Sequence, residues 1–277
     1  MLPRSIFALL LFASLRAQAP VSAQNVNAED IVRRSVERDW TDYQSRQNYT
    51  YQQRTETRQY DRGGKLASTK SETSEVLILG GRPYERILAH NDRPLSERDA
   101  RKEQEKLDRE GAKRQHESAG ELSRYNKERT EDRAFIREIP DAFTFKLEGT
   151  DTVSGQPAWV IQAEPKPGYH PQRSLAKNFL KVRAKIWIEQ ATYHWVKLDA
   201  EVLDTLSFGF GLVRIARGST LHFEQIRVND EIWLPSIILA RADARLALVK
   251  KLRFEFDVRY SDYKKFRSDS RLLDTAE

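Results

Sequence analysis

The fold of this chain follows from residues 252–260, which read Leu-Arg-Phe-Glu-Phe-Asp-Val-Arg-Tyr. Successive side chains of a β-strand point to opposite faces, and in this stretch one set of positions is charged while the other is apolar. The pattern therefore predicts a strand with one wetted face and one apolar face. The apolar set consists of Leu252, Phe254, Phe256, Val258 and Tyr260.

Two further pairs of alternating strands precede this stretch and are predicted as hairpins. The first joins residues 186–188 to residues 194–202 through a short turn at 189–192. The second joins residues 221–228 to residues 232–241 through Asn229 and Asp230. Such strands need a partner layer, or a sheet that curves around, to keep the apolar side away from water. In the first hairpin, the positions expected to share the apolar side are Val196, Leu198, Ala200 and Val202.

The rest of the chain predicts more strands and two helices that supply such a layer. Apolar residues recur at helical spacing from Ala28 to Tyr43, which indicates an amphipathic helix over residues 28–46. A shorter helix is expected over residues 174–181. A long hairpin (49–60 and 66–79), a third strand (84–90) and two strands beginning at 143 and 158 complete the pattern. No repeat or linker divides residues 24–277, which predicts a single domain.

The first 23 residues predict export. Arg4 precedes an apolar run over residues 6–13, and Val21-Ser22-Ala23 fits a cleavage site. The run is too short to cross a bilayer, so the mature chain is expected to be a soluble periplasmic protein; a buried N-terminal helix is the alternative. The chain has no cysteine, which excludes disulfides and thiol chemistry. The leader contains Arg4 and Arg16 and no acid, so its removal lowers the net charge from +6 to +4, too little for a dedicated nucleic-acid binder.

Residues 96–133 form a charged insertion. Arg, Lys, Glu and Asp dominate it, and Leu107, Leu122 and Tyr125 are nearly its only large apolar residues. Ser96 with Asp99 resembles a capping box, and acids that precede bases by four residues favour a helix. The pattern predicts a solvated helical excursion between two strands. The alternative is a docking arm for a protein partner or a membrane surface.

The sequence lacks recognisable catalytic and cofactor motifs. Its five histidines are scattered without metal-ligand spacing, and neither a serine-hydrolase elbow nor a P-loop occurs. Gly209 and Gly211 begin a dinucleotide-like pattern, but Arg214 stands where the third glycine belongs. The carboxylates lie beside Lys or Arg, and no acid/base pair stands out. The sequence therefore predicts a protein without catalysis, cofactor or metal.

The aromatic, apolar side of the sheet predicts either a packed core or an apolar cavity. In an incomplete barrel this side would line a long cavity suited to acyl chains, whose burial is favourable by about 0.8 kcal/mol per CH₂. In a packed arrangement the same side chains form only a core, which periodicity alone favours. The residues expected to line a cavity are Ile186, Ile188, Val196, Leu198, Val202, Ile237, Leu239, Phe254, Phe256 and Val258.

Residues 183–266 resemble the LolA/LolB-like family of outer-membrane lipoprotein-sorting proteins. In residues 185–198 a tryptophan-bearing strand runs into an acidic turn and a Val-x-Leu strand, as in that family. Residues 232–235 (Ile-Trp-Leu-Pro) are similar to a family strand that opens with an apolar-Pro pair, and residues 258–266 resemble the closing strand. Residues 81–86 are similar to exported relatives that carry a charged insertion.

The resemblance implies an α+β, mainly β fold. It would be a half-open antiparallel barrel, or curved sheet, covered by amphipathic helices, with residues 96–133 as an added helical insertion. The implied activity is that of a periplasmic carrier for outer-membrane biogenesis, which holds the acyl chains of lipids or lipoproteins in an apolar cavity without catalysis. The alternative is an envelope sensor or scaffold of the same fold that binds a protein partner through residues 96–133.

Overall fold

The computed structural model describes residues 27–61, 63–208, 213–246 and 250–266. The predicted signal segment, residues 1–23, lies outside these ranges. None of the described helices is both long and apolar enough to cross a membrane.

The described residues form four α-helices and thirteen strands. The helices are α1 (Ala28–Arg46), α2 (Glu97–Gln115), α3 (Ala119–Arg133) and α4 (Ile139–Ala142), with 3₁₀ segments at Ala134–Glu138 and Leu175–Lys181. The strands are β1 (Tyr49–Tyr60), β2 (Leu66–Leu79), β3 (Arg82–His90), β4 (Arg93–Pro94), β5 (Phe143–Val153), β6 (Gln156–Pro165), β7 (Val182–Glu189), β8 (Trp195–Val202), β9 (Leu206–Phe208), β10 (Val213–Ile215), β11 (Thr220–Val228), β12 (Ile232–Leu246) and β13 (Lys250–Lys265).

The strands form one antiparallel sheet that does not close into a barrel. Its order is β4-β3-β2-β1-β13-β12-β11-β8-β7-β6-β5, and the short β9–β10 pair attaches to the end of β12. Strand β13, which contains the stretch that decides the fold, therefore lies between β1 and β12 near the middle of the sheet. The prediction of an open antiparallel sheet with helices against it is confirmed.

Cross-strand partners place each side chain on one of two faces, because directly opposed residues of neighbouring strands share a face. Leu198 is opposite Phe223, which is opposite Ile238, and Ile238 is opposite Val258. We call this side the apolar face. The residues next to these in each strand point to the other side of the sheet. They form a second opposed row, which consists of Asp199, His222, Leu239 and Asp257. We call this second side the charged face.

Helix α1 packs on the apolar face at the β5–β7 end of the sheet. Ile31 and Val32 of α1 are buried in one cluster with Ile161, Ile186 and Ile188 of the sheet. Asn27 precedes the helix, and its side-chain oxygen accepts from the backbone N–H of Glu29, 2.9 Å away, so one free donor of the first turn is satisfied. The helix therefore begins where the sequence predicts and buries its apolar stripe against the strands.

Two expected cavity residues, Ile237 and Leu239, lie on the charged face and not with Phe256 and Val258. Ile237 is opposite Arg259 and Leu239 is opposite Asp257. The expectation that they line an apolar cavity is therefore wrong. Residues 237–239 are all apolar, so a period of two cannot decide which of them point to which side. Ile238 takes the place on the apolar face that the sequence assigned to its neighbours.

Val196 does not share a side with Leu198, contrary to expectation. The pairing of β7 with β8 shifts by one residue between Trp187 and Ile188. Val196 is consequently buried in a cluster with Trp187 and Trp233, whereas Leu198 packs against the cluster that contains Ile186. An extra residue on one strand makes the residues beyond it point to the opposite faces of the sheet. The alternation of apolar and polar residues in one strand does not reveal such a register shift.

The charged insertion folds as α2 and α3. Ser96 accepts from the backbone N–H of Asp99, as its sequence predicts, and Ser118 with Glu121 forms a second capping box at the start of α3. Arg114 of α2 donates to the carbonyl oxygens of Leu79, Arg82 and Pro83 at distances of 3.0–3.2 Å. The insertion is thus attached to the β2–β3 hairpin and not only solvated.

Because neighbouring residues of β12 lie on different faces of the sheet, shortening their side chains to alanine should lower the stability of the protein by different amounts. Ile238→Ala removes apolar atoms from the half-buried apolar face, so we expect the free energy of unfolding to fall by about 2 kcal/mol. Leu239→Ala, on the exposed charged face, is expected to cost below about 1 kcal/mol. Urea denaturation of both variants measures the difference. Equal costs, or a larger cost at Leu239, would contradict the pairing of β12 with its neighbours.

Candidate functional site

A row of small side chains crosses the apolar face. Ala184 is opposite Ala200, Ala200 is opposite Leu221, Leu221 is opposite Ala240, and Ala240 is opposite Phe256. The taller row of Ile186, Leu198, Phe223, Ile238 and Val258 runs beside it. The three alanines make this row lower than the taller row beside it, with Leu221 standing between Ala200 and Ala240. We call this low strip the furrow. We call the set Ala184, Ala200, Leu221, Ala240 and Phe256 the alanine row.

One end of the alanine row lies under the helices and the other is open to water. Ala184 is buried in the cluster that also contains Ile31 and Val32 of α1. Leu221 and Phe256 are instead 39% and 36% exposed. Phe254 lies beside Phe256, with ring centroids 4.8 Å apart. An apolar furrow therefore leads from solvent at β11–β13 toward the helix-covered half of the sheet.

Most of the expected cavity residues lie on the apolar face. Ile186, Leu198 and Val258 form the row beside the alanines, and Phe254 lies next to Phe256. Val202 is opposite Val182 and is buried. Ile188 lies deep in the core under α1. The structure does not bring Val196, Ile237 or Leu239 to this face.

An aromatic cluster continues the apolar face toward β1. The ring centroid of Tyr51 lies 5.7 Å from that of Tyr260 and 5.4 Å from that of Tyr263. Burial raises the pKa of Tyr260 to about 12, and the neighbouring Tyr51 and Glu85 act in the same direction. These hydroxyls therefore remain neutral. The sequence shows the tyrosines, but the pairing of β1 with β13 brings them together.

Asp39 of α1 ties the helices to the sheet, and the sequence analysis missed it. Its carboxylate is 2% exposed and forms ion pairs with Arg46 and with Arg133 of α3. It also accepts from the indole N–H of Trp195 in β8, at 3.0 Å. The sequence does contain a clue to this role. Asp39 stands seven residues after Val32 and therefore lies on the apolar stripe of the helix, where a buried carboxylate needs partners.

A second attachment joins α1 to the β7–β8 turn through His194. Nε2 of this buried histidine lies 2.6 Å from Asp42 of α1, and Nδ1 lies 2.7 Å from the hydroxyl of Thr192. Burial lowers the pKa of His194 below its ordinary value, and the hydrogen bond to Asp42 only partly opposes this. Arg38 also pairs with Asp42, at 3.0 Å. The histidine is therefore a bonded structural group that holds the helix in place.

The charged face carries the larger open groove among those described. Its volume is about 630 Å³, and it spans strands from β1 to β6. Its walls are ladders of opposed charges, such as Arg241 with Glu255 and Arg183 with Glu201, both at 2.8 Å. Within the described ranges, no three His, Cys, Asp or Glu side chains gather as metal ligands would. His222 also lies in this groove, with Nδ1 2.5 Å from the carboxylate of Asp199 and Nε2 3.1 Å from that of Glu224.

Comparison with known proteins finds similar chains only among solved structures. No family model and no curated protein sequence matches the chain. A DUF1329 family protein from Desulfovibrio piger is 13% identical over 86% of this chain and 92% of its own, with a TM-score of 0.35. An outer membrane lipoprotein-sorting protein domain from Vibrio parahaemolyticus is 12% identical over 89% and 96%, with a TM-score of 0.38. A LolA superfamily protein from Nitrosomonas europaea is 10% identical over 87% and 94%, with a TM-score of 0.31.

The family that the sequence resembles is thus also named among these similar structures. TM-scores below 0.5 and identities this low carry no inference about cargo or partners. The cargo and the partners of this protein have to be inferred from its own residues.

The buried carboxylate of Asp39 predicts a large cost for its removal. Asp39→Ala leaves Arg46 and Arg133 without their shared partner, so we expect the free energy of unfolding to fall by about 3–5 kcal/mol. Asp30→Ala, at an exposed position near the start of the same helix, serves as the control and should cost below about 1 kcal/mol. Urea denaturation measures both. A cost for Asp39→Ala no greater than the control would contradict the role of this carboxylate.

The lowered pKa of His194 predicts a pH dependence of stability. The unfolded chain takes up a proton on this residue near its ordinary value of about 6.5, whereas the folded chain resists it. The contribution of His194 should therefore be present above that pH and lost progressively as the pH falls below it. We expect the stability difference between wild type and His194→Gln, measured by thermal unfolding, to shrink over this range. A difference that grows as the pH falls would show a protonated histidine in the fold.

Proposed function

We propose that this protein is an exported, periplasmic carrier that holds acyl chains of lipids or lipoproteins against the apolar face of its sheet, without catalysis. The observation that carries the proposal is the alanine row, in which three alanines leave a low strip and the two larger members, Leu221 and Phe256, are exposed. Large apolar side chains left in water on one face are typical of a binding surface.

The shape of the furrow suits a hydrocarbon tail. An extended acyl chain is narrow and unbranched, and the low strip of alanines beside the taller row leaves room for one. Each CH₂ that leaves water for such a channel contributes about 0.8 kcal/mol. No charged side chain of the described strands lies in the alanine row or in the taller row from Ile186 to Val258.

The helices support the same proposal. Helix α1 covers the β5–β7 part of the apolar face and is attached through Asp39 and His194, both hydrogen-bonded to their partners. The furrow leads toward this cover, so a tail that enters at Phe256 would approach the helix at Ala184, which is buried beside Ile31 and Val32.

A second candidate function is that of a module that binds a protein partner through residues 96–133. It is favoured by exposed cations on α2, of which Arg98, Arg101 and Arg109 have no ion-pair partner among the described residues. A module of this kind would not need the furrow to take up lipid. Acyl-chain binding therefore separates the two candidates.

Filling the furrow should abolish binding. In Ala240→Trp the indole occupies the space between Leu221 and Phe256, so we expect the affinity for a fluorescent fatty acid to fall at least about tenfold. The matched control is Leu239→Trp, which places the same side chain on the opposite face of the same strand. Ala240→Leu, a smaller change, should show an intermediate loss and covers the case in which the tryptophan variant does not fold.

Titration of the mature protein with the fatty acid, with circular dichroism to confirm folding, measures these affinities. An absence of uptake by the wild type, or equal losses in Ala240→Trp and Leu239→Trp, would contradict the proposal.

A further inference from the structure

One end of the sheet gathers several turns and strand ends. The turn after β1 meets the start of β13, since Tyr60 is opposite Arg253. The end of β12 meets β10, since Leu246 is opposite Val213. The turn that leads into β11 lies beside them, because Arg217 and Arg253 line the same recess. We call this region, formed by residues 63–66, 213–219, 243–246 and 250–253, the basic end.

The basic end concentrates exposed cations. Lys65, Arg214 and Arg217 are all exposed. Within the described part of the chain, no carboxylate lies at ion-pair distance from any of these three side chains. The carboxylate of Asp243 is already engaged by Arg253, at 2.7 Å.

A recess at this end is suited to an anionic group. It has a volume of about 410 Å³, and its charged lining consists of Arg217, Arg241 and Arg253 together with the carboxylates of Asp243 and Glu255. Arg241 and Arg253 are each held by a carboxylate, Arg241 by Glu255 at 2.8 Å. Their forks are thereby fixed in orientation, whereas Arg217 has no such partner in the described residues. An anion in the recess would meet Arg217 beside two guanidinium groups that already bind Glu255 and Asp243.

An exposed apolar side chain stands among these cations. Leu66 is 50% exposed and directly follows Lys65. A leucine beside lysine or arginine suits the boundary between lipid headgroups and acyl chains. The leucine side chain enters the apolar layer while the cations contact the headgroup phosphates.

We propose that the basic end docks on an anionic lipid leaflet. Lys65, Arg214 and Arg217 contact the headgroup phosphates, and Leu66 enters the interface. Phe254 lies on the apolar face next to this end, two residues beyond Leu252 in β13. Docking in this orientation would bring the open part of the furrow close to the membrane. The basic end can bind a membrane whether or not the furrow binds an acyl chain. The docking proposal and the carrier proposal can therefore fail separately.

The test is sedimentation of the mature protein with vesicles of phosphatidylglycerol and phosphatidylcholine, compared with vesicles of phosphatidylcholine alone. We expect binding to the anionic vesicles only, weakened by salt because the contacts are electrostatic. Reversal of the three uncommitted cations, Lys65→Glu with Arg214→Glu and Arg217→Glu, should lower vesicle affinity by about tenfold or more. Leu66→Ser alone should lower it by a smaller factor.

The matched control reverses three exposed cations on α2, namely Arg98→Glu with Arg101→Glu and Arg109→Glu. This variant has the same net charge as the first and should keep most of the vesicle binding. Equal losses in both variants, binding insensitive to salt, or binding to inorganic phosphate but not to vesicles would each overturn the proposal. If the first variant fails to fold, the single Arg217→Ala variant, expected to weaken binding severalfold, decides the matter. Fatty-acid uptake measured on the same samples shows whether the carrier function stands independently.

Discussion

The sheet from β7 to β13 presents apolar side chains on one face, and water must be kept from most of that face. Helix α1 meets this need at the β5–β7 end, where Ile31 and Val32 are buried against isoleucines of the sheet. In the described residues this cover leaves Leu221 of β11 and Phe256 of β13 exposed. The incomplete cover links the fold to its proposed use, since a fully covered face would be only a core.

The attachment of α1 combines apolar packing with buried polar bonds. Packing alone is not directional, so it does not fix the helix at one angle. Asp39, bonded to Trp195 and paired with Arg133, joins α1, α3 and the sheet at one point. His194 holds the same helix near Asp42. These directional contacts determine where the cover ends and therefore where the furrow opens.

Much of the fold could be predicted from the sequence. The alternation over residues 252–260 and the spacing from Ala28 to Tyr43 correspond to β13 and to α1. The detail of the site could not be predicted in the same way. Residues 237–239 are all apolar, so the sequence does not show which of them point to which face of the sheet. The register shift beside Trp187 depends on how β7 and β8 pair, which the sequence of one strand does not show. The partners of Asp39 lie far apart in the chain, and only the folded arrangement brings them together.

Arg114 and Pro83 have a further consequence for the edge of the sheet. Beyond its short pairing with β4, strand β3 has no neighbour on its outer side among the described strands, and such an edge can recruit a strand from another molecule. Pro83 lacks a donor, and Arg114 already occupies the carbonyl oxygens of Leu79, Arg82 and Pro83. This part of the edge is therefore a poor template for intermolecular pairing, which helps the protein to expose apolar surface on one face without assembling through its rim.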